Sequence, residues 1–157
     1  MRLCVKRFGE LTADELYRIL RLRVAVFVVE QNCPYMETDD RDRDALHVWL
    51  EDENGIAAYL RVMDRGVMSE YVSIGRVVAA RRRQGLGSRI LREGIRAAVD
   101  CYHADRIYLE AQTYAEGLYA KQGFRRISDV FSEDGIPHVK MLLELSKGEG
   151  ETHAAVV

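Results

Sequence analysis

The stretch RRRQGLGSRI, Arg81 to Ile90, sets three arginines ahead of two glycines one residue apart and then opens an amphipathic run. A helix that starts near Gly85 offers backbone N–H groups without partners and the positive end of its dipole, about half a unit charge. Phosphate is the natural occupant of such an end. Gly85 and Gly87 carry no Cβ to hold a phosphate away from the main chain, and Arg82 or Arg83 can add charge-assisted bonds, so the stretch reads as a pyrophosphate cradle. It is not a P-loop, because Gly87 is followed by Ser88 and Arg89 with no lysine. Nor is it a dinucleotide fingerprint, whose third glycine would stand where Ile90 does. A capped helix behind a basic surface loop would share the same letters, and the surrounding elements have to separate the two.

A chain of 157 residues is the size of one domain. Apolar residues at 48% and charged residues at 31% place it among globular chains rather than disordered ones. A net charge of −2 disfavours nucleic acid as a partner despite the local arginines. The longest apolar run, Val24 to Val29, is too short to cross a bilayer and no secretory core follows Met1, so neither a membrane nor an exported location is expected. Cys4, Cys33 and Cys101 are odd in number and lack metal-ligand spacing, which fits reduced thiols in the cytoplasm and no metal site.

Thr12 and Glu15 form a capping box ahead of a helix over 13–22, with Leu16, Ile19, Leu20 and Arg23 at helical spacing. RVAVFVVEQ is rich in β-branched residues and continues as a second helical turn, stopping before Asn32. METDDRDRD has neither helical nor strand period and reads as a solvated loop. Two apolar runs around Asn54-Gly55 predict a hairpin, and YVSIGRVVAA after the turn at Asp64 to Gly66 adds a third antiparallel strand. From Leu86 the apolar positions Ile90, Leu91, Ile95, Ala98, Val99 and Tyr102 share one helix face. The strand RIYLEA follows, so strand, helix and strand close as a right-handed parallel crossover and the sheet is mixed. A second capping box, Thr113 with Glu116, opens a short helix ending at Gly123, and a hairpin around SEDGIP completes the fold. The expected organisation is a single α+β domain over residues 1–148 with a polar tail at 149–157.

The strand 71–80, R-x-x-G-x-G from Arg82 to Gly87, the long helix, the strand from Arg106, and then LYAKQGF occur in order at compact spacing. This series resembles the GNAT superfamily of acyl-CoA-dependent N-acetyltransferases, over roughly Leu16 to Leu145. The phrases VFVVEQNCPY, IGRV, EAQ and EDGIPH are similar to the ElaA branch of that superfamily, although the interval from IGRV to Arg82 is shorter than in that branch.

The resemblance implies a central mixed sheet flanked by helices, with two neighbouring strands splayed to admit the pantetheine of acetyl-CoA. By that likeness Val77, Val78 and Ala79 pair with its amides, and the stretch Arg82, Arg83, Gln84, Gly85, Leu86, Gly87 and Ser88 holds its pyrophosphate. Tyr119 stands where similar proteins carry a tyrosine that protonates the leaving thiolate, a general acid; otherwise it is a half-buried helix aromatic. Gln112 falls where the family places an amide that contacts the cofactor or fixes the splayed strand. An amine acceptor must lose a proton, and Glu30, His47, Glu70, Glu110 and His138 are the candidates for the base. His138, which follows GIP at the last hairpin, and Glu30, which ends the segment that shapes the acceptor pocket in similar proteins, rank first, and His47, between strand apolars, is read as structural. The acidic run Glu37 to Asp44 attracts a cationic amine or is plain solvated surface.

The expected activity is therefore acetyl transfer from acetyl-CoA to a primary amine in a ternary complex, without metal. A non-catalytic acyl-CoA-binding module on the same fold is the alternative, and the resemblance also leaves room for a homodimer.

Overall fold

The computed structural model describes residues 1–145, so the proposed tail and the boundary at 148 lie outside the described residues. Strand β1 (Arg2–Arg7) is followed by helix α1 (Ala13–Arg23) and a π-helical segment, Val24–Glu30. Then come β2 (Ala45–Asp52), β3 (Gly55–Met63), β4 (Val72–Ala79), α2 (Leu86–Tyr102) and β5 (Arg106–Gln112). Helix α3 (Glu116–Ala120) and strands β6 (Arg125–Arg126), β7 (Phe131–Glu133) and β8 (Ile136–Glu144) complete the chain. One mixed sheet runs in the order β1-β2-β3-β4-β5-β8-β6, with β7 also on β8. All its pairs are antiparallel except β4 with β5, the strands joined through α2. The GNAT-like fold is thus present, and β1 is an addition that the sequence reading had not placed.

The predicted start of α1 holds, while its end falls at Arg23, one residue past the expected 22 and directly before the π-helical segment. The Glu15 amide donates to Thr12 Oγ1 at 3.1 Å and the Thr12 amide to Glu15 Oε1 at 2.9 Å, which caps the free donors of the first turn. The buried stripe, however, is Glu15, Ile19 and Arg23, while Leu16 and Leu20 are half-buried. The capping box at Thr113 is absent: residues Thr113–Ala115 wind as a 3-10 turn and α3 starts behind Ala115 with no side-chain cap. Gly123 does end that helix, at φ +101°, where only glycine is unstrained.

The larger core lies between the sheet and α2, around Leu60, Val62, Ile90, Leu91, Ile107 and Val139. Helix and sheet come closest at Gly94, where an added Cβ would stand 2.6 Å from Leu60 Cδ2. Gly94→Ala should therefore destabilise the fold. Overpacking costs about 1–3 kcal/mol against about 1 kcal/mol gained in helix propensity, and a denaturant titration checks the sign.

Candidate functional site

Strands β4 and β5 pair at Val72↔Ile107 and Ser73↔Tyr108 and then diverge. A bulge drives the divergence. Tyr59 faces Val78 and Arg61 faces Gly75, so β4 carries one residue more than β3 over that interval. The extra turn is taken by Arg76 at φ +53°, a conformation that costs an arginine about 1–3 kcal/mol unless its surroundings impose it.

They do impose it. Arg76 Nε donates to Glu37 Oε2 at 2.7 Å and its Nη2 to the Glu37 carbonyl at 3.1 Å. Arg23 Nε reaches the same Glu37 oxygen at 2.6 Å, and Arg23 Nη1 reaches Asp42 Oδ1 at 2.7 Å. Arg61 joins Asp42 at 2.9 Å and Asp39 at 2.5 Å. Arg23, Arg61 and Arg76 so join three carboxylates in one cluster, which Arg41 touches from the surface at Asp39, 3.8 Å away. Burial alone would raise the Asp39 and Asp42 carboxyls, but Arg61 at Asp39, and Arg23 with Arg61 at Asp42, hold them below the usual range. Within the acidic run Glu37 is 4% exposed and Asp42 7%, their charges spent on arginines, while Asp40 and Asp44 stay on the surface.

His47 is fully buried beside this cluster. Its Nε2 lies 2.9 Å from the Asp42 carbonyl, which can only accept, so Nε2 carries the proton and Nδ1 accepts from the Tyr59 hydroxyl at 2.8 Å. Burial lowers its pKa and keeps it neutral, in the structural role read from the sequence.

Between the diverging strands lies a cavity of about 440 Å³. Val77 lines it, with Ile74, Gly75 and Arg76. The Ala80 amide donates to the Ala57 carbonyl at 2.8 Å, and the two-residue alternation of an antiparallel ladder then turns the N–H and C=O of Ala79 toward the gap. By the same alternation the main chain of Val78 is bonded to β3, and its side chain packs with Cys4, Ile19, Trp49 and Tyr59. Val78 therefore does not offer the free edge that had been expected of it.

The cradle follows directly. Arg83 and Gly85 both adopt left-handed backbone, at φ +62° and +70°, and Gly85 stands as the N-cap of α2 without a side-chain cap. The first bond of α2 is Arg89 N–H to Gly85 O, at 3.1 Å, which leaves the amides of Leu86, Gly87 and Ser88 without helical partners. A Cβ on Gly85 would meet nothing within 4 Å, so it is the left-handed backbone and not crowding that calls for glycine there. A Cβ on Gly87 would stand in ordinary contact with Leu118 of α3, at 3.5 Å. Leu86 is buried and contributes through its main chain alone; Gln84 is exposed. Of the arginines, Arg81 is held by Asp52 at 2.8 Å, Arg82 by Glu30, and Arg83 has no side-chain partner among the described residues.

Glu30 thus belongs to the cradle's rim. It does not line the cavity, which removes the geometric basis for Glu30 as base; Glu70, exposed, does not line it either. Gln112 does, and it exchanges two amide hydrogen bonds with Gln31, at 3.1 and 3.2 Å, tying the end of β5 to the π-helical segment. Tyr119 lines the cavity at 8% exposure with its hydroxyl unpartnered among the described residues. Burial pushes that phenol well above its ordinary range, so it remains a neutral donor. His138 and Glu110 also line the cavity, together with Tyr108 and Glu133, which the sequence had not suggested.

A helix N-terminus with unpartnered amides, beside a strand edge opened by a bulge, is an arrangement with known relatives. The family model described as an acetyltransferase (GNAT) domain matches residues 16–145. The chain belongs to the GNAT family. This GNAT chain is 37% identical over 143 residues to protein ElaA of Escherichia coli, covering 87% of its own length and 92% of ElaA. Among solved structures it is similar to an acyl-CoA N-acyltransferase from Pseudomonas aeruginosa, with a TM-score of 0.85, 36% identity and coverage of 91% and 99% of the two chains. The crystal structure of Escherichia coli ElaA gives 0.84 and 33% over the same shares. The ElaA-like branch is therefore its place in the family, and GNAT chains use an acyl-CoA donor.

Proposed function

We propose that the chain transfers an acetyl group from acetyl-CoA to the nitrogen of a primary amine. The observation that carries this reading is the divergence of β4 from β5 after Ser73, which opens the β4 edge onto the cavity that Tyr119 lines. The amides of Leu86, Gly87 and Ser88, with Arg82 and Arg83, would hold the diphosphate, and the main chain of Val77 and Ala79 the pantetheine amides. Acetyl-CoA, when bound, supplies an acyl carbon made electrophilic by its thioester. Tyr119 gives its hydroxyl proton to the departing sulfur, and burial keeps that proton in place across the neutral range. The exchange of bonds between Gln112 and Gln31 holds β5 away from β4 while this happens.

Calorimetry with acetyl-CoA and release of free thiol on adding amines test the reading together. Binding with thiol release is expected; binding without release from any amine would leave a binding module, and no binding would end the proposal. Gly85→Val should weaken acetyl-CoA about ten-fold, since a β-branched residue at φ +70° distorts the cradle at about 1–3 kcal/mol.

A further inference from the structure

An amine that attacks a thioester must first lose a proton, and one side chain of the cavity wall carries a proton-accepting atom with no hydrogen-bond partner. His138 stands on β8, which pairs with β5 along all of β5 and sets His138 opposite Gln112. Val139, Met141 and Leu143 of β8 pack in the core under α2, so the two-residue alternation turns His138 to the other face of the sheet, where it lines the cavity. Tyr119 belongs to the core on the α2 side. The two side chains therefore enter one cavity from opposite faces of the sheet.

The imidazole is held on two sides. Its Nδ1 lies 2.7 Å from the Ile136 carbonyl, which can only accept, so Nδ1 carries the proton and Nε2 a lone pair. Phe131 of β7 stacks on the ring, with centroids 6.0 Å apart at 29°. His138 is 8% exposed, and its Nε2 has no hydrogen bond among the described residues. Glu133 Oε2, 3.7 Å away, is beyond hydrogen-bond length. A buried ring fixed in orientation, with its accepting nitrogen unused, calls for a donor from outside the chain.

The other candidates fall away on geometry. His47 has both ring nitrogens bonded and does not line the cavity; neither do Glu30 and Glu70. Glu110 Oε2 accepts from the Tyr108 hydroxyl at 2.7 Å, and Glu110 stands opposite Lys140. Asp39 lines the cavity too, but although burial pushes its carboxyl up, Arg61 holds it below the usual range and leaves it a poor proton acceptor. Glu133 and Asp134 lie on the exposed hairpin tip, open to water.

We propose that His138 is the general base of the transfer, its Nε2 taking the first proton from the acceptor's ammonium group. The inference rests on the acetyl-transfer reading and names the residue for a step which that reading leaves open. One N–H bond breaks toward Nε2, and the freed lone pair forms the C–N bond at the acyl carbon. The C–S bond then breaks, and the sulfur takes its proton from Tyr119. The second N–H proton restores the Tyr119 hydroxyl through solvent, and the imidazolium gives its proton to solvent, so amide, thiol and one proton are the products. Glu133 on β7, Asp134 in the turn, and Glu110 and Lys140 one pair further along β5 and β8 are the charged groups around the ring.

Thiol release from saturating acetyl-CoA, followed against pH, provides the test. n-Butylamine, a cation at neutral pH, is compared with 2,2,2-trifluoroethylamine, which is largely neutral there. His138→Asn keeps an amide able to donate to the Ile136 carbonyl and removes Nε2. With n-butylamine at neutral pH its rate should fall about 100-fold, and with trifluoroethylamine much less. The wild-type rate should rise from the acid side and level off once Nε2 is free of a proton. The variant should go on rising into the alkaline range, where n-butylamine is itself neutral, so the deficit shrinks with pH. Calorimetry should give both chains the same affinity for acetyl-CoA, which separates a lost base from a lost fold. Added imidazole should restore part of the rate to His138→Ala. A wild-type rate in His138→Asn, a deficit constant across pH, or an equal deficit with both amines overturns the proposal. No thiol release from the wild type with any amine would be a separate result, one that removes the transfer reading and this inference with it.

Discussion

Replacing Tyr119 with phenylalanine is expected to slow turnover about 100-fold or more while acetyl-CoA binds as before. The phenyl ring retains the edge contact with Phe124, whose centroid lies 6.1 Å away at 75°, so the fold has no reason to change. What disappears is one proton donor. Because burial raises the Tyr119 phenol, the wild-type rate should hold on the alkaline side until well above neutrality. The variant should show its deficit at every pH below that limit, and the deficit should shrink with acyl donors whose leaving thiol is more acidic. Single-turnover kinetics with a saturating amine separates this from slow product release. A variant with the wild-type rate throughout would reduce Tyr119 to a packing residue.

The second large effect concerns stability. Arg23→Met roughly keeps the volume of the side chain but leaves Glu37 to Arg76 alone and Asp42 to Arg61 alone, and removing one partner of a buried charge cluster costs about 3–5 kcal/mol. In a chain of this size that lowers Tm by about 10 °C. Arg43→Ala, which breaks an exposed pair with Asp40, should move it very little. Acid titration carries the same information. Asp39 and Asp42 have folded pKa values below their unfolded ones, so their contribution is complete above about pH 4 and is lost as pH falls toward the folded values. The Arg23→Met chain should begin to unfold at a higher pH than the wild type. Its affinity for acetyl-CoA should fall as well, because Glu37 also holds Arg76 in the bulge that opens the cavity.

These two residues show where the sequence is readable and where it is not. Tyr119, the glycines of the cradle, the hairpin at Asn54-Gly55 and the amphipathic face of α2 are written locally, in spacing and turn chemistry. The role of Glu37 is not: its partners come from α1 and β4, 14 and 39 residues away, and nothing in METDDRDRD tells a paired carboxylate from a solvated one. The one hint was Arg23, an arginine at the buried period of a helix. The place of Glu133 on the cavity wall was hidden for a similar reason, since β7 reaches it only through its pairing with β8. Strand β1 escaped because RLCVKR is a short, charged edge strand with no turn signal before it. Glu30 was drawn to the wrong side of the cavity, because the π-helical winding before Gln31 changes the direction in which each residue points.

The sheet is mechanically two plates. β1 to β4 with α1 form one, β5 to β8 with α3 the other, and their strands are stitched along a seam of two residue pairs, Val72 with Ile107 and Ser73 with Tyr108. A ligand that bonds to both plates beyond that seam would act as a staple. Its occupancy therefore tightens the whole molecule, by about 2.7 kcal/mol at a hundred times its dissociation constant.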